Sequence, residues 1–357
     1  METGTATGTG MATLPGRGEA RPSSPRYRLI YRESAGALHL DWPLSRLAEA
    51  LADAEGTLWL DIDDRHSDVA EVERLFREAF GFHPLAIDDA LQESNVPKVD
   101  DWEQYLYVVF QAVSFVPEGL DLELHELDAF LGGNYLVTYR TAGMELVEAV
   151  RTLIERDGGS RLKLGPDHIL YYLLDRAVAG YMPAIEHLDE RIDAAQEEAL
   201  ARPTKGTLGR IMDVKRAALR LHRVLIPQRE VLNRLARDEY PQVDARDQVY
   251  FRDVYDHMVR LHDVSETLRD LISGALETYF SAISNRTNEV MKALTVVTVL
   301  FLPLNFMVGF FGMNFFGDNI HLDGLRVSHT LAFGLILATM ALGAWGMWAW
   351  ARWRGWF

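Results

Sequence analysis

The chain contains no cysteine. That excludes disulfides and thiolate metal sites, and it fits a reducing cytoplasm without requiring one. Basic residues are also scarce: 36 Lys and Arg stand against 52 Asp and Glu, for a net charge of −16. Nucleic-acid binders usually carry a basic excess or stripe, so this balance speaks against that class and favours cations as partners. The usual catalytic signatures are missing as well. There is no P-loop, no His-Glu-x-x-His and no Gly-x-Ser-x-Gly, and His39, His66, His83, His125 and His168 show no ligand spacing. An enzyme is therefore not expected. Residues 1–25 lack the apolar centre of a secretory signal and are rich in Gly, Thr, Ser and Pro. They read as a disordered cytoplasmic tail, or as extra sequence upstream of an internal start at Met11.

Long apolar runs are present, and both lie at the C-terminal end. Ala293–Gly312 gives twenty positions without a charge, and Ser328–Ala351 gives twenty-four more. About 20 apolar residues cross a hydrocarbon core as a helix, so two membrane spans are expected. Lys292 precedes the first run, and Arg352 and Arg354 follow the second. Five of the eight Trp (345, 348, 350, 353 and 356) cluster at that last end, as an interfacial belt would. The positive-inside rule then places both outer flanks, the N-terminal body and the basic tail 352–357 in the cytoplasm, with loop 313–327 outside. From Lys292 onward the net charge is +2, which leaves −18 on the first 291 residues. An acidic body is joined to a nearly neutral apolar tail.

Residues 26–165 read as an α/β domain. RYRLIYR (26–32), TLWLDID (57–63) and YLYVVFQAV (105–113) are strand-like, and residues 122–140 predict a hairpin turning at Gly132-Gly133-Asn134. Amphipathic helices are expected at 67–81 and 144–157. Residues 166–241 predict an antiparallel helical pair joined near Arg202-Pro203. Residues 242–312 predict one stalk helix running into the first span at 293–312, followed by the second span at 328–351. Unbroken from Asp247 to Gly312, this helix would be roughly 100 Å long at about 1.5 Å per residue, with Gly274 and Pro303 as possible kinks. Such a helix either couples a soluble domain mechanically to a membrane element or is a passive stalk.

In steps of three and four, one face of that helix carries Glu277, Ser281, Ser284, Asn288, Met291, Thr295 beside Leu294, Thr298, Leu302, Asn305, Gly309 and Gly312. The other faces are Val, Leu, Phe and Met. An Asn within a span needs a polar partner or water. The stripe therefore either bonds helix to helix or lines a pore. With no carboxylate inside the membrane, such a pore would touch an ion's water shell rather than strip it, which suits Mg²⁺. Two spans cannot enclose a pore, so oligomerisation with cyclic symmetry is expected.

SNRTNEVMKALTVVTVLFLPLNFMVGFFGMNFF (284–316) closely resembles the first membrane helix of the CorA family of divalent-cation channels, with that family's signature at Gly312-Met313-Asn314. HPLAIDDAL (83–91), NVPKVDDWEQYLYVVF (95–110) and FRDVYDHMVRLHD (251–263) are similar to its soluble domain. The resemblance runs from residue 26 to the C-terminus. It implies a homopentamer in the inner membrane, with five long helices around the pore and a ring of Asn314 at its mouth that hydrogen-bonds the waters of a hydrated cation. It implies a hydrophobic gate at Met291, Leu294 and Leu302, with Asn288 beside the first. It implies cytoplasmic Mg²⁺ bound between protomers at Asp89 and Asp253, with Asp88 and Asp175 as neighbours, holding the channel closed. Asn305 stands where family members often have Thr. The outer loop lacks the Met-Pro-Glu-Leu that often follows the signature, and Asp318 and Asp323 would supply external negative charge instead. His321 is a possible zinc contact, though a lone loop His is more often simply exposed. The resemblance thus implies a channel for Mg²⁺, with Co²⁺ or Ni²⁺ also possible. The alternatives are a Zn²⁺ transporter of the related ZntB type and a non-conducting membrane-anchored sensor or scaffold.

Overall fold

A computed structural model describes residues 27–63, 69–94, 96–115, 122–140, 144–312 and 329–354. Strands β1 (Tyr27–Arg32), β2 (Leu38–His39), β3 (Thr57–Asp63), β4 (Lys98–Asp101), β5 (Leu106–Phe115), β6 (Leu122–Leu131) and β7 (Tyr135–Arg140) form one sheet. The order is β2-β1-β3-β7-β6-β5-β4, with β3 and β7 parallel and the other neighbours antiparallel. Helices α1 (Leu47–Ala52), α2 (Val69–Leu75), α3 (Pro84–Gln92), α4 (Glu145–Arg156), α5 (Pro166–Ala179), α6 (Tyr181–Ala201), α7 (Lys205–Arg237), α8 (Gln248–Gly312) and α9 (His329–Trp353) complete the described elements.

The chain divides into two compact units: Met1–His187 with Ala217–Glu266, and Leu188–Arg216 with Thr267–Phe357. The first contains the sheet. All seven residues of β3 are buried, so both faces of this central strand are covered. On one face Leu58, Leu60 and Ile62 join Phe76, Phe82, Phe130 and Tyr139 in the main core, where the Phe82 and Phe130 rings stack 4.2 Å apart. The helix that supplies Phe76 widens into a π turn over Phe76–Phe80 and stops at Gly81, whose φ of 68° is left-handed. On the other face of β3 stand Trp59, Asp61 and Asp63. Two carboxylates there need a cation, and the buried Arg140 of β7 supplies it, at 2.9 Å from Asp61 and 3.1 Å from Asp63.

The hairpin falls where its glycines predict it. Asn134 then ties the turn to the end of α1 by donating from Nδ2 to the carbonyls of Leu51 and Asp53. The apolar run after Pro166 divides at Gly180, giving two helices where the periodicity reads as one. A Cβ at Gly180 would sit 3.5 Å from the Val113 carbonyl of β5, so the break comes where the backbone passes close to the sheet. Tyr181 follows at once, donates to the Gln111 carbonyl at 2.7 Å and accepts from Gln228 of α7 at 2.6 Å. The start of α6 and the part of α7 around Gln228 are thereby anchored to the sheet.

In the second unit, Thr204 and Thr207 cap the start of α7 reciprocally, and Thr207 donates to Glu198 at 2.9 Å. Helix α8 continues without interruption through Gly274 and Pro303 for 65 residues. Its C-terminal part contains a stretch apolar and long enough to cross a membrane, with none of that stretch buried.

Candidate functional site

The stripe on α8 remains on an unbroken helix and is exposed throughout. Met291, Leu294 and Leu302 are 54%, 59% and 65% exposed, and Asn288, Thr298 and Asn305 are exposed as well. The threonines are not loose polar groups. Thr295 Oγ1 donates to the Met291 carbonyl at 2.7 Å, and Thr298 Oγ1 to the Leu294 carbonyl at 2.8 Å. Each hydroxyl proton is thus spent on its own helix, and what the side chain offers outward is an acceptor lone pair. An acceptor suits the hydrogens of a cation's hydration water. Pro303 has no N–H, so the Val299 carbonyl lacks its usual helical donor and adds a further acceptor beside Thr298. Gly312 ends α8. Met313, Asn314, Asp318, His321 and Asp323 lie outside the described residues.

The four acidic candidates divide into two groups in the first unit. Asp88 and Asp89 sit on α3, which starts on Pro84 with His83 as its cap. Asp88 is exposed. Asp89 is engaged by Lys98 of β4, whose Nζ lies 2.5 Å from Asp89 Oδ2 and 2.7 Å from Asp100 Oδ2. Burial alone would lower the Lys98 pKa, but the Asp100 and Asp89 carboxylates outweigh it and hold the ammonium above its ordinary value. Lys98 also lies 5.2 Å from the centre of the Tyr107 ring, and Tyr107 donates to the buried Asp128 at 2.6 Å. Burial, with the Glu126 carboxylate close by, keeps Asp128 well above the usual carboxylate range.

Asp175 and Asp253 form the second group. Asp253, on α8, is 65% exposed, and its Oδ2 is 4.0 Å from Nε2 of His257 one turn on. Asp175, on α5, is half-buried. Desolvation raises its pKa, His257 and Arg176 oppose that, and Asp253 adds to it. Tyr171 is raised by burial and by the same two carboxylates. The fold therefore brings Asp175, Asp253 and His257 together within one chain, while Asp89 is held by Lys98 instead. Among the described residues no three His, Asp or Glu side chains form a ready metal cage. Sequence reasoning missed Lys98 and His257. The i, i+4 spacing of Asp253 and His257 signals the second, but nothing local signals the first.

A profile of the family described as "CorA-like Mg2+ transporter protein" matches residues 54–352. The chain belongs to this family. It is 36% identical over 262 residues to the cobalt/magnesium transport protein CorA of Thermotoga maritima, covering 73% of this chain and 74% of that protein. The complete CorA magnesium transporter structure from Methanocaldococcus jannaschii matches with a TM-score of 0.76 at 20% identity, over 94% of this chain and 100% of that one. At that identity the likeness establishes the fold: an α/β domain followed by a long helix. More distantly, the zinc transport protein ZntB of Yersinia enterocolitica is 22% identical over 301 residues, covering 83% of this chain and 87% of that protein. The CorA family is one of divalent-metal transporters.

Proposed function

We propose that the chain is a channel admitting hydrated Mg²⁺, with Co²⁺ and Ni²⁺ as further cargo, to the cytoplasm. It works as a homopentamer in the inner membrane, with both termini cytoplasmic and loop 313–327 outside. The observation that carries this reading is the exposed α8 stripe, whose threonine hydroxyls have turned their protons inward and present acceptors outward. Five such stripes around an axis make a path for an ion that keeps its water. Asn314, with Gly312 and Met313, forms the entrance, and Asp318 and Asp323 raise the local cation concentration there. Asn305 and Thr298 line the middle, and Leu302, Leu294 and Met291 are the constriction, with Asn288 beneath. The membrane potential supplies about 2.3 kcal/mol per charge per 100 mV, twice that for a divalent ion.

Closure is assigned to intracellular Mg²⁺ bridging Asp89 of one protomer and Asp253 of the next, supported by Asp88 and Asp175. Asp253 is exposed and close enough to Asp175 to raise its pKa, with His257 and Arg176 as the neighbouring basic groups. An ion that binds the closed packing more tightly shifts the population towards it.

The test is uptake of Mg²⁺, and separately of Zn²⁺, into liposomes at fixed membrane potential, beside Asn314→Ala. Mg²⁺ entry that collapses in the variant is the expected result. Entry of Zn²⁺ alone, driven by a pH gradient, would assign the ZntB-type alternative, which the resemblance to a zinc transport protein motivates. No flux of either ion through folded pentamers would leave a non-conducting sensor.

A further inference from the structure

Apart from the carboxylates, the first unit holds a histidine pair that the transport reading does not use. His222 of α7 and His262 of α8 face each other with ring centres 5.3 Å apart and planes inclined by 35°. The His262 side chain is only 13% exposed, and its Nδ1 is 3.7 Å from the Asp263 carboxylate. One turn along the same face of α8, Ser265 is fully buried and its Oγ has no hydrogen-bond partner among the described residues.

We propose that His222 and His262 bind a borderline transition-metal dication, of the Zn²⁺, Ni²⁺ or Co²⁺ class, between α7 and α8. The spacing has the right size. With nitrogen–metal bonds of about 2.0–2.1 Å and roughly 1.1 Å from nitrogen to ring centre, two imidazoles on one tetrahedral ion have centres about 5.2 Å apart. The Asp263 carboxylate lies beside Nδ1 of His262, where a metal-bound imidazole commonly takes an orienting partner, leaving Nε2 to the ion. The buried Ser265 hydroxyl supplies an oxygen near the pair, and water fills the remaining coordination. Imidazole selects these ions over Mg²⁺, which prefers carboxylate, carbonyl and water oxygen. Occupancy would clamp α7 to α8 in response to a class of ion different from that read by the carboxylates. The site stands on local geometry alone and does not depend on the transport reading.

The experiment uses full-length protein in detergent with millimolar Mg²⁺ present to occupy the carboxylate sites. Zn²⁺ binding is followed by calorimetry, and Co²⁺ binding by visible absorption. The expected result is Mg²⁺-resistant Zn²⁺ binding at one site per chain, with a Co²⁺ spectrum of the intense tetrahedral type. His222→Gln and His262→Gln each weaken this binding by at least about tenfold, whereas His257→Gln leaves it unchanged. A wild-type protein with no Mg²⁺-resistant Zn²⁺ binding overturns the proposal without recourse to any variant. So does Mg²⁺-resistant binding that survives both glutamine substitutions, or that is lost with His257.

Discussion

Replacing Lys98 by Met is expected to make the transporter more sensitive to closure by cytoplasmic Mg²⁺. The Lys98 ammonium sits 2.5 Å from Asp89 and 2.7 Å from Asp100, so on the proposed mechanism it competes with the regulatory ion. A divalent ion held by the other side of the Asp89 carboxylate would lie about 5 Å from that ammonium. Charges of +2 and +1 at that distance repel by roughly 1.7 kcal/mol at the dielectric constant of water. The half-buried setting strengthens this and salt weakens it. Removing the repulsion corresponds to about tenfold tighter binding, since about 1.4 kcal/mol is a factor of ten. Met keeps the unbranched apolar stem against the Tyr107 ring, so the packing is retained. The assay is Mg²⁺ flux into liposomes with the internal Mg²⁺ varied. The half-inhibitory concentration should fall about tenfold in Lys98→Met, and the gain should vanish when Asp89→Asn is added. An unchanged or higher half-inhibitory concentration, in protein with wild-type thermal stability, would refute the assignment of Asp89 to the regulatory site.

Three further outcomes are expected. Arg140→Met leaves Asp61 and Asp63 buried without their cation and should cost about 3–5 kcal/mol of stability, read as a lowered denaturant midpoint; a loss below 1 kcal/mol would show that water reaches them. Asp167 is raised by burial to about 6 from an ordinary 3.8, although the Asp244 and His168 backbone N–H groups oppose this. Its folded form therefore holds a proton more tightly than the unfolded chain, and its contribution is present below about pH 4 and lost as pH rises through 6. In Asp167→Asn that part of the pH dependence, about 2–3 kcal/mol between pH 4 and 7, should disappear from thermal unfolding profiles. Thr298→Val removes one acceptor facing the proposed pore and should lower Mg²⁺ flux about tenfold, the worth of one hydrogen bond of about 1–1.5 kcal/mol; equal flux would argue that Thr298 faces another helix.

How much of this was legible in the sequence depended on range. β3 and the hairpin were readable because Trp59, Leu60 and the glycines at 132 and 133 act through period and local turn chemistry. The α8 stripe was readable for the same reason, since spacing alone places Asn288 and Asn305 on a face. β4 was missed: Lys-Val-Asp-Asp is a short polar edge strand with no apolar alternation. Its consequence was missed with it, because Lys98 reaches Asp89 only after β4 pairs with β5 and α3 packs over the sheet. The break at Gly180 did carry a local signal, Gly180 followed by Pro183, but the apolar period runs on through it and outweighed that signal. The Arg140 cluster joins β3 to β7 across 79 residues, a distance over which composition carries no register.

The inward-turned threonine hydroxyls bear on biogenesis. On the proposed reading, in which α8 and α9 both span the membrane of a ring-forming subunit, any donor left unmet in hydrocarbon before assembly is costly. Thr295 and Thr298 on α8 and Thr339 on α9 each donate to the carbonyl four residues back, so these side chains cross the bilayer already satisfied. The Asn305 amide has no partner among the described residues. On the proposed ring it is a group that a lone subunit leaves unmet in lipid and an assembled one hydrates. One residue in mid-span would thus penalise the orphan monomer, giving quality control a physical handle on incomplete rings.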